Sequence, residues 1–303
     1  MIKLKLALDW TPNVNHIGFL IAKDLGFYHQ EGIDFEILNP KDDNYAMTPG
    51  KKLELDMADF AIAPFETAIS LNNKANQVDA IAIYAILKKD LSCIATLKSS
   101  NITSPSLLDA KTYASYKARY EDHIVKEMIK NDGGEGDLNI VYPDKLGIWN
   151  TLLNGQADAT WIFDNWEGIE ASGKNIELNK FTLDDFNIPY GYSPIVLTKK
   201  ENLIKHKALY SNFVKSTKKG FLFAQDNLQE STRILKRYLT DYDLENIDLE
   251  KSISFTTPHF GNELNCGIMK KDRVSKFLEW LVNKGLEDKV ILEQSLFTNE
   301  LFD

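Results

Sequence analysis

Aromatic and acidic side chains are concentrated in five short segments of the sequence, each of which follows a strand-like run. These segments are 9–16, 63–66, 115–121, 163–168 and 190–193. Together they carry Trp10, Phe65, Glu66, Tyr116, Tyr120, Asp164, Trp166, Glu167, Tyr190 and Tyr192. Such a set suits a flat ligand that is cationic or rich in nitrogen, because the rings stack on it and a carboxylate pairs with an amidine-like edge.

The shared position of the five segments counts for more than any single residue in them. One aromatic residue taken alone is more often part of the core than of a site. In open α/β sheets, however, ligands bind at the carboxyl ends of the strands, and all five segments are predicted to lie there. The pattern therefore predicts a binding site for a small heterocycle.

Catalytic motifs are missing from the sequence. None of the histidines has the spacing of a zinc protease, and there is neither a G-x-S-x-G elbow nor a phosphate loop. The glycine-rich run 133–136 follows a predicted helix and indicates a helix stop. Cys93 and Cys266 are too few for a disulfide framework or a cysteine zinc site, and we expect two buried thiols. No cofactor and no metal site is predicted.

The loop 116–119 has two possible roles, an aromatic contact of Tyr116 with a ligand or the binding of an anion. Its N–H groups, together with Lys117 and Arg119, could bind an anion at the start of the next helix. The sequence leaves both roles of this loop open.

The periodicity of apolar residues predicts an α/β fold. Strand-like residues 2–8, a helix that ends near Gly26 and strand-like residues 33–38 form a βαβ unit, so the two strands should be parallel. Further strands are predicted over 58–62, 78–87, 93–97, 111–115, 138–142 and 157–163. Helices are predicted from Pro64, over 120–131 and 145–154, and in the segments 206–225, 228–238 and 272–285.

Two stretches of the sequence have the same predicted order of elements, which predicts two similar lobes. Residues 50–65 and 147–168 both read as helix, strand and helix. We interpret 88–93 and 193–197 as two extended crossings. Lobe one is then 1–87 plus 198–303, and lobe two is 88–197. Two lobes joined by two extended segments can hinge around a ligand.

Composition excludes several classes of protein. The chain has 303 residues with a formal net charge of −9, which argues against a nucleic-acid partner. The hydrophobic fraction of 44% is that of an ordinary globular protein, and no apolar run approaches a membrane span. The start of the sequence leaves two locations open. The protein is periplasmic or at the cell surface if a signal was removed, and cytoplasmic if Met1 is the native start.

At two motifs the sequence resembles a known family. The run 6–13 with Asn15 and His16, and the run 161–168, look like the thiamine-pyrimidine precursor proteins. That family includes substrate-binding components of ABC transporters for formyl-aminopyrimidine or hydroxymethylpyrimidine, and the fungal hydroxymethylpyrimidine phosphate synthases. The resemblance implies the two-lobed periplasmic-binding-protein fold of type II. It also implies a pyrimidine ligand and an ABC transporter permease as partner.

The resemblance divides on function, and the residues favour binding over synthesis. The synthases need a lysine that holds pyridoxal phosphate, a sacrificial histidine and a cysteine-rich run. The segment of this chain that matches the lysine and histidine region, 59–66, contains neither residue. Residues 189–193, which lie at the position of the cysteine-rich run, contain no cysteine. A cytoplasmic enzyme of pyrimidine biosynthesis remains the alternative, and a third hypothesis keeps the fold with another small ligand.

Carried onto this chain, the resemblance implies a role for each site residue. Trp10 stacks on the pyrimidine, with Tyr190 or Tyr192 on its other side. Glu167 pairs with the aminopyrimidine edge, and Asp164 is the second candidate for that pairing. Polar contacts are assigned to Asn13 and His16, with Glu66 as a further candidate.

Overall fold

The computed structural model describes residues 1–143 and 147–302 and divides into two compact units. The first unit comprises Met1–Asp90, Gly191–Glu245 and Leu249–Asp303. The second unit comprises Leu91–Tyr190 and Asn246–Asp248.

Ten strands and thirteen α-helices are found in the described residues. The strands are β1 (Ile2–Ala7), β2 (Ile33–Leu38), β3 (Phe60–Ala63), β4 (Ala80–Ala85), β5 (Ser92–Leu97), β6 (Lys111–Ala114), β7 (Leu138–Val141), β8 (Ala159–Phe163), β9 (Leu178–Phe181) and β10 (Ile195–Lys199). The helices are α1 (Ile17–Asp24), α2 (Phe27–Gln30), α3 (Pro49–Glu54), α4 (Glu66–Asn72), α5 (Glu121–Asn131), α6 (Ile148–Leu153), α7 (Glu167–Gly173), α8 (Lys200–Lys205), α9 (Lys207–Asp226), α10 (Leu228–Leu235), α11 (Asp241–Asn246), α12 (Leu249–Thr256) and α13 (Lys271–Asn283).

The first unit is built on a five-stranded mixed sheet with the order β2-β1-β3-β10-β4. β1 pairs with β2 in parallel, from Ile2 opposite Ile33 to Ala7 opposite Leu38, as the βαβ pattern predicts. β1 also pairs in parallel with β3, whereas β10 is antiparallel to both β3 and β4. The carboxyl ends of β1 and β3 therefore meet at one edge of this sheet, where 9–16 and 63–66 follow them.

The second unit repeats this arrangement with the order β7-β6-β8-β5-β9. β6 is parallel to β7 and β8, and β5 is antiparallel to β8 and β9. The sequence analysis did not predict β9, because its residues 178–181 include only two apolar side chains. Such a composition is common in edge strands. The prediction of a helix over 145–154 is met by α6, and residues 145–146 of that prediction lie outside the described residues.

Equivalent hydrogen bonds confirm that the repeated order of helix, strand and helix reflects two similar units. The carboxylate of Asp59, just before β3, accepts from the N–H of Lys5 in β1 at 2.7 Å. The carboxylate of Asp158, just before β8, accepts from the N–H of Thr112 in β6 at 2.8 Å. In return, the N–H groups of both aspartates donate to the carbonyls of Lys5 and Thr112. Each carboxylate thus holds the central strand of its sheet in register with the neighbouring strand.

The boundaries of the two units differ from the expectation. Residues 191–197, which the sequence analysis assigned to lobe two, belong to the first unit, as do 88–90. The physical reason is that β10 hydrogen-bonds to β3 on one side and β4 on the other. Because Pro189 precedes this segment and Pro194 lies within it, the sequence predicts an extended chain, but it does not say which sheet receives it.

Close helix packing stabilises the first unit. α1 and α9 approach at Gly18 and Gly220, where a Cβ on Gly220 would lie 2.0 Å from the carbonyl oxygen of Gly18. In the core beside them, the ring of Phe213 in α9 stacks on Phe60 with centroids 4.0 Å apart.

Within residues 1–143 and 147–302, no helix combines the length and the apolar character that crossing a bilayer requires.

Candidate functional site

The loop after β1 is organised by a buried histidine. His16 is 0% exposed, and its Nδ1 accepts a hydrogen bond from the backbone N–H of Asn13 at 3.1 Å. A backbone N–H can only donate, so Nδ1 carries no proton and Nε2–H donates to the Asp9 carboxylate at 2.8 Å. The Asn13 side chain in turn caps the short 3-10 helix Val14–His16 by accepting from the N–H of Asn15. His16 and Asn13 therefore fix the loop, and their predicted contacts with a ligand remain predictions.

The same loop carries the half-exposed side chain of Trp10. Trp10 is 50% exposed, and its ring centroid lies 5.7 Å from that of Tyr45 at an interplanar angle of 48°. Tyr45 is also 50% exposed and has a left-handed backbone with φ of 60°, which is uncommon for a non-glycine residue. The pKa of Tyr45 is raised by burial and by the charge of Asp243. Trp10 and Tyr45 together form an exposed aromatic pair on the first unit.

The other two candidates on the first unit are buried. Glu66 begins α4 and is 4% exposed. Tyr192 is 1% exposed, its hydroxyl accepts from the N–H of Lys270 at 2.9 Å, and the guanidinium of Arg273 lies 4.2 Å from its ring centroid. These contacts favour a packing role for Tyr192 over the predicted stacking on a ligand.

On the second unit, the segment after β8 holds two candidate carboxylates in different surroundings. Asp164 forms an ion pair with Lys180 and packs against Gly168, where a Cβ would lie 2.1 Å from its Oδ1. Glu167 begins α7, and its Oε2 accepts from the N–H of Phe163 at 2.9 Å. Both carboxylates thus have partners within the chain, and their predicted pairing with a cationic edge remains a prediction.

Tyr116, at the end of β6, lies in an acidic environment. Its pKa is raised well above the ordinary value by burial of the phenol and then by the charges of Glu167 and Glu121. The residue as a whole is 45% exposed. On the second unit, Tyr116 and Glu167 follow the neighbouring parallel strands β6 and β8, and Glu121 accepts from the N–H of Tyr116.

Glu121 also decides between the two roles left open for the loop 116–119. The N–H groups of Tyr116 and Ala118 donate to the two carboxylate oxygens of Glu121, at 3.0 and 3.1 Å. The N–H of Lys117 donates to the hydroxyl of Ser115 at 2.9 Å. The donors considered for an external anion are thus used within the chain.

Tyr190 is the last of the predicted residues on the second unit. It is 7% exposed, and its ring centroid lies 5.7 Å from that of Trp161. It belongs to an aromatic contact near the end of the second unit, and its predicted stacking on a ligand remains a prediction.

The predicted residues thus fall into two sets, one on each unit. The first unit carries Trp10, Asn13, His16, Glu66 and Tyr192, and the second carries Tyr116, Asp164, Glu167 and Tyr190. Sequence reasoning missed Tyr45 and Glu121. The pattern Asn44-Tyr45 after a proline-led turn was a weak signal for the first, and a glutamate in the first turn of a helix was a signal for the second. The described residues contain no group of His, Cys, Asp and Glu side chains that could hold a metal ion.

Similar proteins are found along nearly the whole chain. A thiamine biosynthesis protein from Haemophilus influenzae is 22% identical over 95% of this chain and 89% of its own length. A formylaminopyrimidine-binding protein from Halalkalibacterium halodurans is 21% identical over 96% of this chain and 88% of its own length. A 4-amino-5-hydroxymethyl-2-methylpyrimidine phosphate synthase from Legionella pneumophila is 21% identical over 77% of this chain and 72% of its own length.

The fold is that of the periplasmic binding proteins. The alkanesulfonate-binding protein SsuA from Xanthomonas axonopodis superposes with a TM-score of 0.72, covers 98% of both chains and shares 11% identity. At that identity the likeness concerns the fold alone. The predicted α/β fold with two lobes, each on a mixed sheet, is confirmed. The NMT1/THI5 like family matches residues 13–231, which is more than half of the chain, so this protein belongs to that family.

Proposed function

We propose that this chain is a substrate-binding protein and not an enzyme. Its ligand is a pyrimidine precursor of thiamine, of the formyl-aminopyrimidine or hydroxymethylpyrimidine type. The observation that carries the proposal is that the half-exposed Tyr116 and the carboxylate of Glu167 follow neighbouring parallel strands, β6 and β8, at one edge of the second sheet. An aromatic face next to a carboxylate suits a flat heterocycle with an amino-substituted edge. The name of the Halalkalibacterium relative supports the same class of ligand.

Each proposed role follows from the chemistry of the side chain. A carboxylate has about four lone-pair sites, so Glu167 can accept from an aminopyrimidine while its Oε2 accepts from Phe163. Trp10 offers an exposed face for stacking, and Tyr45 supports its ring. Asn13 and His16 hold the loop on which Trp10 stands.

The synthase alternative is supported by the name of the Legionella relative, but the residues of this chain do not favour it. The segment 59–66, which includes β3, contains neither a lysine that could form an imine with an aldehyde nor a histidine. That chemistry therefore lacks both of its reacting side chains.

Titration calorimetry with the two pyrimidines tests the proposal. We expect one of them to bind, and Trp10→Ala and Glu167→Gln each to weaken binding by about 10-fold or more, which corresponds to about 1.4 kcal/mol. Phe255→Ala is the matched control, because Phe255 is another exposed aromatic residue of the first unit, 39% exposed, that packs beside His259. Absence of heat with both pyrimidines would refute the proposal.

A second assay separates binding from synthesis. The protein is incubated with pyridoxal phosphate and iron, and the absorbance of an imine and the release of a pyrimidine are followed. We expect neither signal. Either one would favour the enzyme over the binding protein.

An ABC transporter permease is the proposed partner, and the proposed location is the periplasm or the cell surface. The binding-protein fold supports both. Fractionation of cells followed by detection of this chain tests the location, and a purely cytoplasmic chain would contradict it.

A further inference from the structure

A single arginine of the first unit contacts both ends of its connection to the second unit. Apart from a three-residue stretch, the second unit is the continuous segment Leu91–Tyr190. The guanidinium of Arg273, in α13, donates to the carbonyl oxygen of Lys88 at 2.7 Å and to that of Gly191 at 2.6 Å. Lys88 lies shortly before the second unit begins, and Gly191 is the first residue after that segment ends.

The geometry of this contact couples residues 88–90 to residues 191–192, which we call the connecting segments. Nη1 of Arg273 bonds to one segment and Nη2 bonds to the other. Because the guanidinium is planar and rigid, it holds the two carbonyl oxygens at a fixed spacing, and its charge strengthens both bonds. The guanidinium also lies 4.2 Å from the ring centroid of Tyr192. Arg273 therefore joins two segments that are far apart in the sequence.

Both connecting segments are held further by other residues of the first unit. The N–H of Lys88 donates to the carbonyl oxygen of His259 at 2.7 Å, and its ammonium donates to that of Ile268. Gly191 is buried, and a Cβ there would lie 2.9 Å from Cδ1 of Phe277 in α13. Neither Lys88 nor Gly191 can shift on the first unit without breaking these contacts.

The residues just beyond these contacts are placed to bend. Lys89 and Asp90 lie between Lys88 and β5, outside any helix or strand, and Lys89 is exposed. Tyr190 also lies outside any helix or strand. Hinges in proteins consist of a few loop residues of this kind, which absorb changes of φ and ψ while the packed elements around them stay fixed.

We propose that Arg273 anchors the hinge between the two units. It fixes both connecting segments on the first unit, so bending is confined to 89–90 and 190. Once the guanidinium is removed, the two segments move independently and the ligand-free protein samples a wider range of arrangements. Arg273 is therefore a positioning residue, since it acts through the segments that it holds. Two of its tests need no ligand, and the third rests on the proposed function.

Hydrogen exchange of the backbone amides is the first test. We expect Arg273→Ala to speed exchange in 86–92 and 188–193 by at least about 10-fold, while the central strands of both sheets keep their protection. Arg273→Lys keeps the charge and the aliphatic stem but has one nitrogen in place of the fork, so we expect a change in the same direction. Unchanged exchange in both variants would overturn the proposal.

Arg237→Ala is the matched control for the exchange measurement. Arg237 is another arginine of the first unit, and its guanidinium donates to the carboxylate of Asp24, at the end of α1, at 2.8 Å. The variant thus removes a bonded guanidinium from another part of the same unit. We expect exchange in the connecting segments to stay as in the wild type. Equal acceleration in the control would contradict a specific role of Arg273.

The distance between spin labels on the two units is the second test. Cys93 and Cys266 are buried, so the labels are attached to introduced cysteines. Ile204→Cys on the first unit and Leu107→Cys on the second use positions that are 76% and 48% exposed. Without ligand, we expect Arg273→Ala to widen the distribution of label distances by at least about 2-fold. An unchanged width would overturn the proposal, because a loss of local packing alone speeds exchange without widening this distribution.

Ligand affinity is the third test. A wider range of arrangements lowers the fraction of the protein that is competent to bind, and the apparent dissociation constant rises by the same factor. We expect Arg273→Ala to weaken binding of the pyrimidine by at least about 3-fold in titration calorimetry. Unchanged affinity of the variant would contradict a role of the hinge in binding. If neither pyrimidine binds the wild type while exchange and label distances change as expected, the pyrimidine assignment fails and the role of Arg273 stands.

Discussion

The ring centroids of Trp10 and Tyr45 lie 5.7 Å apart, and each residue exposes half of its surface. Aromatic pairs of this geometry contribute about 0.5–1.5 kcal/mol beyond the area that they bury. Tyr45 reaches its position through a left-handed backbone, which is strained for a tyrosine. Strain of this kind is found at many functional sites, which supports the stacking role proposed above for Trp10.

The Trp10–Tyr45 pair predicts coupled effects on affinity. We expect Tyr45→Gly to weaken pyrimidine binding by about 3-fold to 10-fold, with a coupling to Trp10→Ala of about 0.5–1.5 kcal/mol in a double-mutant cycle measured by calorimetry. Because glycine adopts this φ freely, the same change should leave the free energy of unfolding within about 1 kcal/mol of the wild type. Additive effects of the two substitutions would show that the rings act separately.

The buried His16 predicts a loss of stability on substitution. His16→Phe leaves the N–H of Asn13 and the carboxylate of Asp9 without their imidazole partner, so we expect the free energy of unfolding to fall by about 2–3 kcal/mol. Urea denaturation measures this change. The control is His29→Phe at an exposed position of α2, which should change stability by less than about 0.5 kcal/mol. If His16→Phe is as mild as the control, the imidazole does not hold the loop.

The contact between α1 and α9 predicts a steric penalty. An added Cβ in Gly220→Ala would meet the carbonyl oxygen of Gly18, and backbone atoms move only at a cost. We expect a net destabilisation of about 2 kcal/mol, although alanine favours a helix intrinsically. Gly173→Ala is the control, because its Cβ would meet only the carbonyl oxygen of Asn246 at 3.8 Å. Thermal unfolding compares the two, and equal melting temperatures would contradict the close approach.

The buried carboxyl of Glu121 predicts a pH dependence of stability. Burial raises its pKa above 4.5, and the hydrogen bonds from Tyr113 and from the N–H groups of Tyr116 and Ala118 oppose that shift only in part. The folded state therefore holds the proton more tightly than the unfolded state, and stability falls as the pH rises from about 4.5 through the raised pKa. Glu121→Gln should lose this part of the slope when urea denaturation is measured from about pH 2.5 to about pH 8, a range that also covers carboxyls with lowered pKa values.

A carboxyl with the opposite shift is the control for that experiment. Hydrogen bonds from Lys74 and Lys51 lower the pKa of Glu54 in the folded state. Its contribution to stability is present above the unfolded pKa and is lost as the pH falls, so Glu54→Gln should change the slope in the other sense. The same slope change in both variants would show that the effect does not come from these carboxyls.

Local patterns in the sequence determined much of this protein. Alternation and helical periodicity predicted β1, α1 and β2 with parallel strands, and the glycine stop after α5 was predicted within one residue. These features depend on neighbours within a few residues along the chain, so the residue types alone determine them. The same reasoning placed Trp10, Tyr116 and Glu167 at strand ends.

The tertiary structure decided what depends on distant residues. The sequence could not place β10 between β3 and β4, because more than 100 residues separate the partners and pairing depends on which sheet edge is left open. It could not bring Tyr45 to Trp10, since in the structure both Asn44 and Tyr45 have left-handed backbones, with φ of 54° and 60°. It also could not tell that Glu121 folds back onto Tyr116 and Ala118, because a glutamate at the start of a helix equally suits an exposed position in water.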